Sequence, residues 1–230
     1  MRRHLFVLLI GGLGAALLIG LGVWQLQRLA WKEGILADIA ERMDAALPSL
    51  PDLPSEDAHE YRLVTLSGDI APAELHVLTS ARPEGAGYRI ISPFTLADGR
   101  RLLLDRGFVP QAEKTTRRTG GPAEITGNLL WPDETTGYTP EPDPRRNIWF
   151  AREVQTMAAA LETEPVMLVA RSKTGDGIRP LPVSVNIPND HLEYAITWFG
   201  LAAGWSGMTL LFLLRGRRAA KPLESRAARH

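Results

Sequence analysis

His191 stands where its chemistry can matter. It follows Pro188-Asn-Asp190 and opens a segment in which no charged residue occurs from Tyr194 to Leu214. That stretch is long enough to cross a bilayer, which needs about 20 apolar residues. An imidazole at the lip of a span is ionisable and can ligate a metal, and such groups tend to be functional. His191, Tyr194 and Trp198 fall at i, i+3 and i+7, on one helical face. Asp190 with Glu193 three residues on reads as a capping box, which puts His191 in the first helical turn. The helix N-terminus there disfavours an imidazolium, whereas the two carboxylates favour it. The spacing leaves that balance open.

A second stripe has matching character. Trp24, Arg28 and Trp31 fall at i, i+4 and i+7 just beyond the first apolar run. The tryptophans suit a membrane–water boundary. Arg28 lies about 6 Å beyond Trp24 at 1.5 Å rise per helical residue. If the two helices pair, both stripes meet at one depth and form an aromatic niche with one imidazole and one guanidinium. These groups suit haem, imidazole for the iron and guanidinium for a propionate. An ordinary interfacial aromatic belt with a capping histidine accounts for the same residues.

Other chemistry finds less support. There is no Gly-x-Ser-x-Gly, no His-Glu-x-x-His and no phosphate-cradling glycine loop, so no nucleophile–base set identifies an enzyme. His59, among Glu56, Asp57 and Glu60, reads as part of a solvated acidic loop. His76 reads as structural, and Asp105-Arg106-Gly107 as the site of a structural ion pair. The chain has no cysteine, which excludes disulfides, thiolate metal sites and covalent c-type haem attachment. Its 26 basic and 26 acidic residues cancel, so nucleic acid is not an expected partner.

The elements that position these groups follow from hydropathy and charge. Leu5 to Trp24 is a first apolar run, preceded by Arg2, Arg3 and His4. A signal peptide shares that pattern, but this run exceeds the usual 7–15 residues and no Ala-x-Ala-like site follows it, so a retained anchor is expected. The basic residues Arg215, Arg217, Arg218 and Lys221 follow the second run. Basic flanks at both ends place both termini on the cytoplasmic side. A mitochondrial inner membrane would put the middle segment in the intermembrane space, but no Arg- and Ser-rich transit segment precedes the first run, so a bacterial, multi-pass inner-membrane protein is expected. The expected segments are a cytoplasmic stretch 1–4, a span over 5–24, a periplasmic β-rich domain over 25–190, a span over 191–214 and a basic tail over 215–230. The part after Arg218 is expected to be disordered. Small residues recur every four positions at Gly12, Ala16 and Gly20, at Gly200 and Gly204, and at Ala203 and Gly207. They predict either a hairpin within the chain or a homo-oligomer.

The middle segment predicts strands at Tyr61–Ser67, Glu74–Thr79, Tyr88–Leu96, Arg101–Val109, Ile125–Trp131 and Val166–Arg171. Ala97-Asp98-Gly99 predicts a hairpin turn. A helix is expected over Arg152–Leu161, a Pro-rich neck over Leu47–Pro54, and exposed loops over Lys114–Pro122 and Thr135–Pro144. The expected fold is therefore a membrane protein of α+β class. Two transmembrane helices, N- and C-terminal, flank a mainly antiparallel, barrel-like extracytoplasmic domain with about one helix.

Four ordered segments resemble the Surfeit locus protein 1 family: Leu21-Gly-Val-Trp-Gln-Leu-Gln-Arg-Leu-Ala-Trp-Lys32; Gly87-Tyr-Arg-Ile-Ile-Ser-Pro-Phe94 with Leu104-Asp-Arg-Gly-Phe-Val-Pro110; Asn147-Ile-Trp149; and Asn189-Asp-His-Leu-Glu-Tyr-Ala-Ile-Thr-Trp198. Asp105 and Phe108 depart mildly from the family pattern. The resemblance implies a non-enzymatic chaperone of respiratory-chain biogenesis, which handles haem a transiently and serves cytochrome c oxidase assembly. The implied partners are haem a synthase, oxidase subunit I and the lipid bilayer. His191 is then the expected ligand of the haem iron, and Trp24, Arg28, Trp31, Tyr194 and Trp198 are its expected neighbours. The alternative is a scaffold that never binds haem and docks through surfaces such as Asp105–Pro110.

Overall fold

The computed structural model describes residues 2–184 and 188–219, apart from the side chains of 2–4 and 216–219. The tail expected to be disordered lies outside the described residues from position 220 on. The chain divides into two compact units, residues 1–37 with 186–230 and residues 38–185.

Helix α1 spans Arg2–Asp44. It runs past the apolar segment because nothing from Gln25 to Asp44 stops it. That stretch holds no proline, is rich in Leu, Ala, Gln, Glu, Lys and Arg, and has a single glycine, Gly34. A short helix α2 covers Glu56–His59, with His59 Nδ1 held by the backbone of Ser55. Six strands follow: β1 Leu63–Ile70, β2 Leu75–Ala81, β3 Gly85–Leu96, β4 Arg101–Pro110, β5 Gly121–Leu130 and β6 Met167–Ala170. Helix α3, Val154–Leu161, lies between β5 and β6. The Glu153 carboxylate caps it, accepting from the amides of Gln155 and Thr156 at 3.1 and 2.7 Å. Helix α4 spans His191–Ala219. Helices α1 and α4 are both long and apolar enough to cross a membrane, with mean hydropathy of 2.5 and 1.4 over their apolar segments.

The strands pair in the order β1-β5-β6-β4-β3-β2, and β1 also pairs with β3. The second pairing closes β1, β5, β6, β4 and β3 into a ring, with β2 added beside β3. Closure occurs at Gly68 opposite Leu96, where a Cβ on Gly68 would collide with the carbonyl of Thr95. All pairings are antiparallel except β4 with β6. The hairpin expected at Ala97–Gly99 joins β3 to β4, with Gly99 at φ +88° and Leu96 N donating to Arg100 O at 2.8 Å.

Strand alternation separates the two larger of three core clusters. Leu102, Leu104 and Leu168 join Val64, Leu66, Phe94, Ile125 and Leu129 in one cluster. Leu103, Met167 and Val169 point the other way, where Val154, Met157 and Leu161 of α3 cover them together with Trp149. The two core strands are thus apolar on both faces, which explains the near-continuous hydrophobicity of β6.

The neck lies along this barrel. Leu47 and Leu50 pack against its core, and Pro51 O accepts from Arg100 at 2.8 Å. The end of α1 is capped here as well. The carbonyl of Met43, left without a helical partner, accepts from Asn128 Nδ2 at 2.9 Å and from Arg171 at 2.6 Å.

Candidate functional site

The seam between α1 and α4 is built from small residues, but not those the four-residue spacing singled out. A Cβ on Gly14 would lie 2.5 Å from the Trp205 indole, and one on Gly22 would lie 2.7 Å from the Phe199 ring. A Cβ on Gly11 would run into Thr209, and the Trp205 indole N–H donates to Gly11 O at 3.0 Å. Ala195 and Ala202 are buried on the α4 side. Gly12, Gly20, Gly200, Gly204 and Gly207 have nothing within 4 Å of an added Cβ. The expected contact stripes are corrected accordingly. Steps of three and four that run through Gly11, Gly14, Gly22 and Gln25 follow the seam, whereas a strict step of four drifts off it. The pairing is within one chain.

The same seam carries a polar pair at its outer end. Gln25, only 9% exposed, sits one turn beyond Gly22, and its Oε1 lies 2.7 Å from Nδ1 of His191. An amide oxygen only accepts, so Nδ1 carries the hydrogen. In the neutral ring this leaves the Nε2 lone pair available. Further along, Lys32 Nζ donates to the carbonyl of Pro188 at 2.5 Å, tying the approach to α4 onto α1. The Asp190 carbonyl accepts from Tyr194 N at 3.3 Å, so it is the Asp190 backbone that opens the helix.

Of the residues singled out from sequence, the structure joins Arg28 to Trp31, with the guanidinium 4.0 Å from the ring centroid. Arg28 has no carboxylate partner among the described residues. Trp24, Trp31 and Tyr194 are each about half exposed, at 53%, 51% and 57%, and Trp198 is half-buried. No ring contact among the described residues links His191 to any of them. Gln25 is the residue sequence reasoning missed. Its signal was a polar side chain in phase with the glycine seam.

Asp105–Pro110, named above as a possible docking surface, is buried except at Pro110. A β-bulge explains this. Ile90 faces Gly107 and Ile91 faces Asp105, which leaves Arg106 as the extra residue with Gly107 at φ +115°. The bulge breaks the alternation and turns both charged side chains inward. Asp105 bonds Arg89, and Arg152 at 3.1 Å, and accepts from Gly107 N at 3.1 Å. Arg152 also bonds Glu134 at 2.5 Å. Burial pushes the Glu134 carboxyl up, but its hydrogen bonds and charge pairing with Arg152 outweigh that and hold it below its usual range. Burial likewise opposes the Arg152 cation, and the two carboxylates more than offset it. Arg106 is fully buried against Thr174 and Asp176. These charges are structural, as the sequence suggested.

Two long apolar helices, with a five-strand ring and one added strand between them in sequence, define the class: an α+β membrane protein with a motif-bearing helix pair. The SURF1 family model matches residues 13–203. Surfeit locus protein 1 of Homo sapiens is 31% identical over 86% of this chain and 74% of its own length. The Rattus norvegicus protein is 32% identical over 81% of this chain and 69% of its own, and a SURF1-like protein of Rickettsia bellii is 32% identical over 81% and 82%. The chain belongs to the SURF1 family.

Proposed function

We propose that this protein is a non-enzymatic assembly factor for haem–copper cytochrome c oxidase, taking haem a as cargo from its synthase and presenting it to nascent subunit I. Family membership and the resemblance of its ordered motifs support the oxidase assignment. The observation that carries the haem reading is the Gln25–His191 hydrogen bond. Metal-bound histidines characteristically donate their other ring N–H to an oxygen acceptor, which fixes tautomer and orientation. Here that acceptor is built into the helix seam, and the free Nε2 is the atom that would supply an axial bond to the iron. Arg28, which pairs with no carboxylate among the described residues, would pair with a propionate, and the exposed faces of Trp24, Trp31, Tyr194 and Trp198 offer apolar cover. So open a site suits reversible loading better than permanent retention.

Basic flanks at both ends support cytoplasmic termini and a periplasmic barrel in a bacterial inner membrane. The chain purified from a host that makes haem a should carry the pigment, and His191→Ala should lose it. An unaltered pigment in that variant removes the ligand assignment. Full restoration of oxidase assembly by His191→Ala would instead favour the scaffold that never binds haem.

A further inference from the structure

The barrel unit holds a basic cleft that the haem reading does not use. It has a volume of about 530 Å³ and lies among the start of β2, the loop after β4 and the Arg146–Asn147 turn. Lys114, Arg117, Arg118 and Arg146 line it, against the single carboxylate of Glu74. The walls are fixed to one another. Asn147 Nδ2 donates to Glu74 O at 2.8 Å, Lys114 Nζ donates to Arg146 O at 2.7 Å, and Arg118 donates to Glu74 Oε1 at 2.9 Å and to Glu113 O at 2.6 Å.

Three polar atoms of the cleft's buried lining lack a partner among the described residues: Arg118 Nε, Glu74 Oε2 and His76 Nδ1. Arg118 is 4% exposed and His76 is 7% exposed. Buried polar groups are ordinarily satisfied, and leaving one unmade is costly. The set is also chemically mixed. Arg118 Nε–H needs an acceptor, whereas the Glu74 oxygen needs a donor. With His76 Nε2 donating to Glu74 Oε1 at 2.7 Å, a neutral His76 presents Nδ1 as a second acceptor. The arginine and imidazole bonds hold Glu74 below the usual carboxylate range despite its burial, so its oxygens accept at neutral pH. Arg117 and Arg146 are exposed and form no side-chain hydrogen bond or ion pair among the described residues, so they add charge at the rim.

We propose that this cleft binds a phosphate group that retains a hydroxyl hydrogen, as inorganic phosphate or a phosphomonoester headgroup. Its anionic oxygens accept from the exposed Arg117 and Arg146, and a shift of the cleft wall as it enters gives the buried Arg118 Nε an acceptor and Glu74 Oε2 or His76 Nδ1 a donor. Sulfate, fully ionised at neutral pH, satisfies the arginines but leaves both acceptors orphaned.

Equilibrium dialysis of the detergent-purified full chain with radiolabelled phosphate tests this, with sulfate and a short-chain phosphatidic acid as competitors. Saturable phosphate binding, displaced at least tenfold less well by sulfate, is expected. Arg117→Ala and Arg146→Ala, which disturb no fold contact, should each weaken it about tenfold, the loss of one charge-assisted bond. Binding of short-chain phosphatidic acid without free phosphate binding would identify a lipid headgroup as the source of the same chemistry. Absence of binding by either probe, equal competition by sulfate, or unchanged affinity in both rim variants would overturn the proposal.

Discussion

At the scale of single residues, the site depends on an acceptor holding a donor. Gln25 Oε1 accepts from His191 Nδ1, and this contact selects which nitrogen faces outward. Gln25→Leu removes the acceptor but keeps the ligand. It should weaken haem a affinity about 10–100-fold, the usual cost of losing such an orienting partner, while Gln25→Glu should retain binding. Optical titration of the variants checks this, and equal affinity for Gln25→Leu would reduce Gln25 to packing. The buried charges make a separate prediction. Asp105→Ala leaves Arg89 and Arg152 short of a carboxylate and should cost about 3–5 kcal/mol in chemical denaturation of the full chain. Glu134 sets the direction of a pH effect. Its folded pKa lies below the ordinary 4.5, so its contribution is present above that value and is lost as pH falls through the lower folded pKa. Arg152→Gln removes the main cause, and stability measured against pH should then fall less steeply below about 4.5.

At the scale of elements, packing decides what composition leaves ambiguous. Both α1 and α4 carry small residues on more than one face, and a step of four marks one stripe while the helix pair uses another. Gly22→Leu should drive a side chain into Phe199 and Gly14→Leu one into Trp205, each destabilising the pair by about 1–3 kcal/mol. Gly12→Leu and Gly20→Leu should be tolerated. Thermal unfolding in detergent separates the two sets, and equal effects would contradict the seam. Strands were easier to read than helix faces, since each β run carried its own alternation or apolar block. Strand ends were less legible. β5 starts at Gly121-Pro122, residues that look like loop, and only pairing with Asp69 and Ile70 makes them strand. The burial of Asp105 and Arg106 was hidden too, because a bulge leaves no mark on local periodicity.

At the scale of the whole molecule, two apolar helices and a barrel-like domain were visible from hydropathy and turn chemistry. The closing β1–β3 contact and the parallel β4–β6 pair were not, because both join residues far apart in sequence. Family membership was legible in ordered motifs, and the fold adds a hydrogen-bond partner, Gln25, to the histidine in the last of them. The proposed topology puts the Ala97–Gly99 hairpin in the periplasm. A phosphatase reporter inserted there should be active, and one fused after His230 inactive. The reverse pattern would invert the orientation. Haem a handling at His191 is the central claim, and the most direct measurement is the absorption spectrum of detergent-purified protein titrated with haem a. The account predicts a saturable Soret shift for the wild type that is lost in His191→Ala. The same shift in both proteins would contradict it.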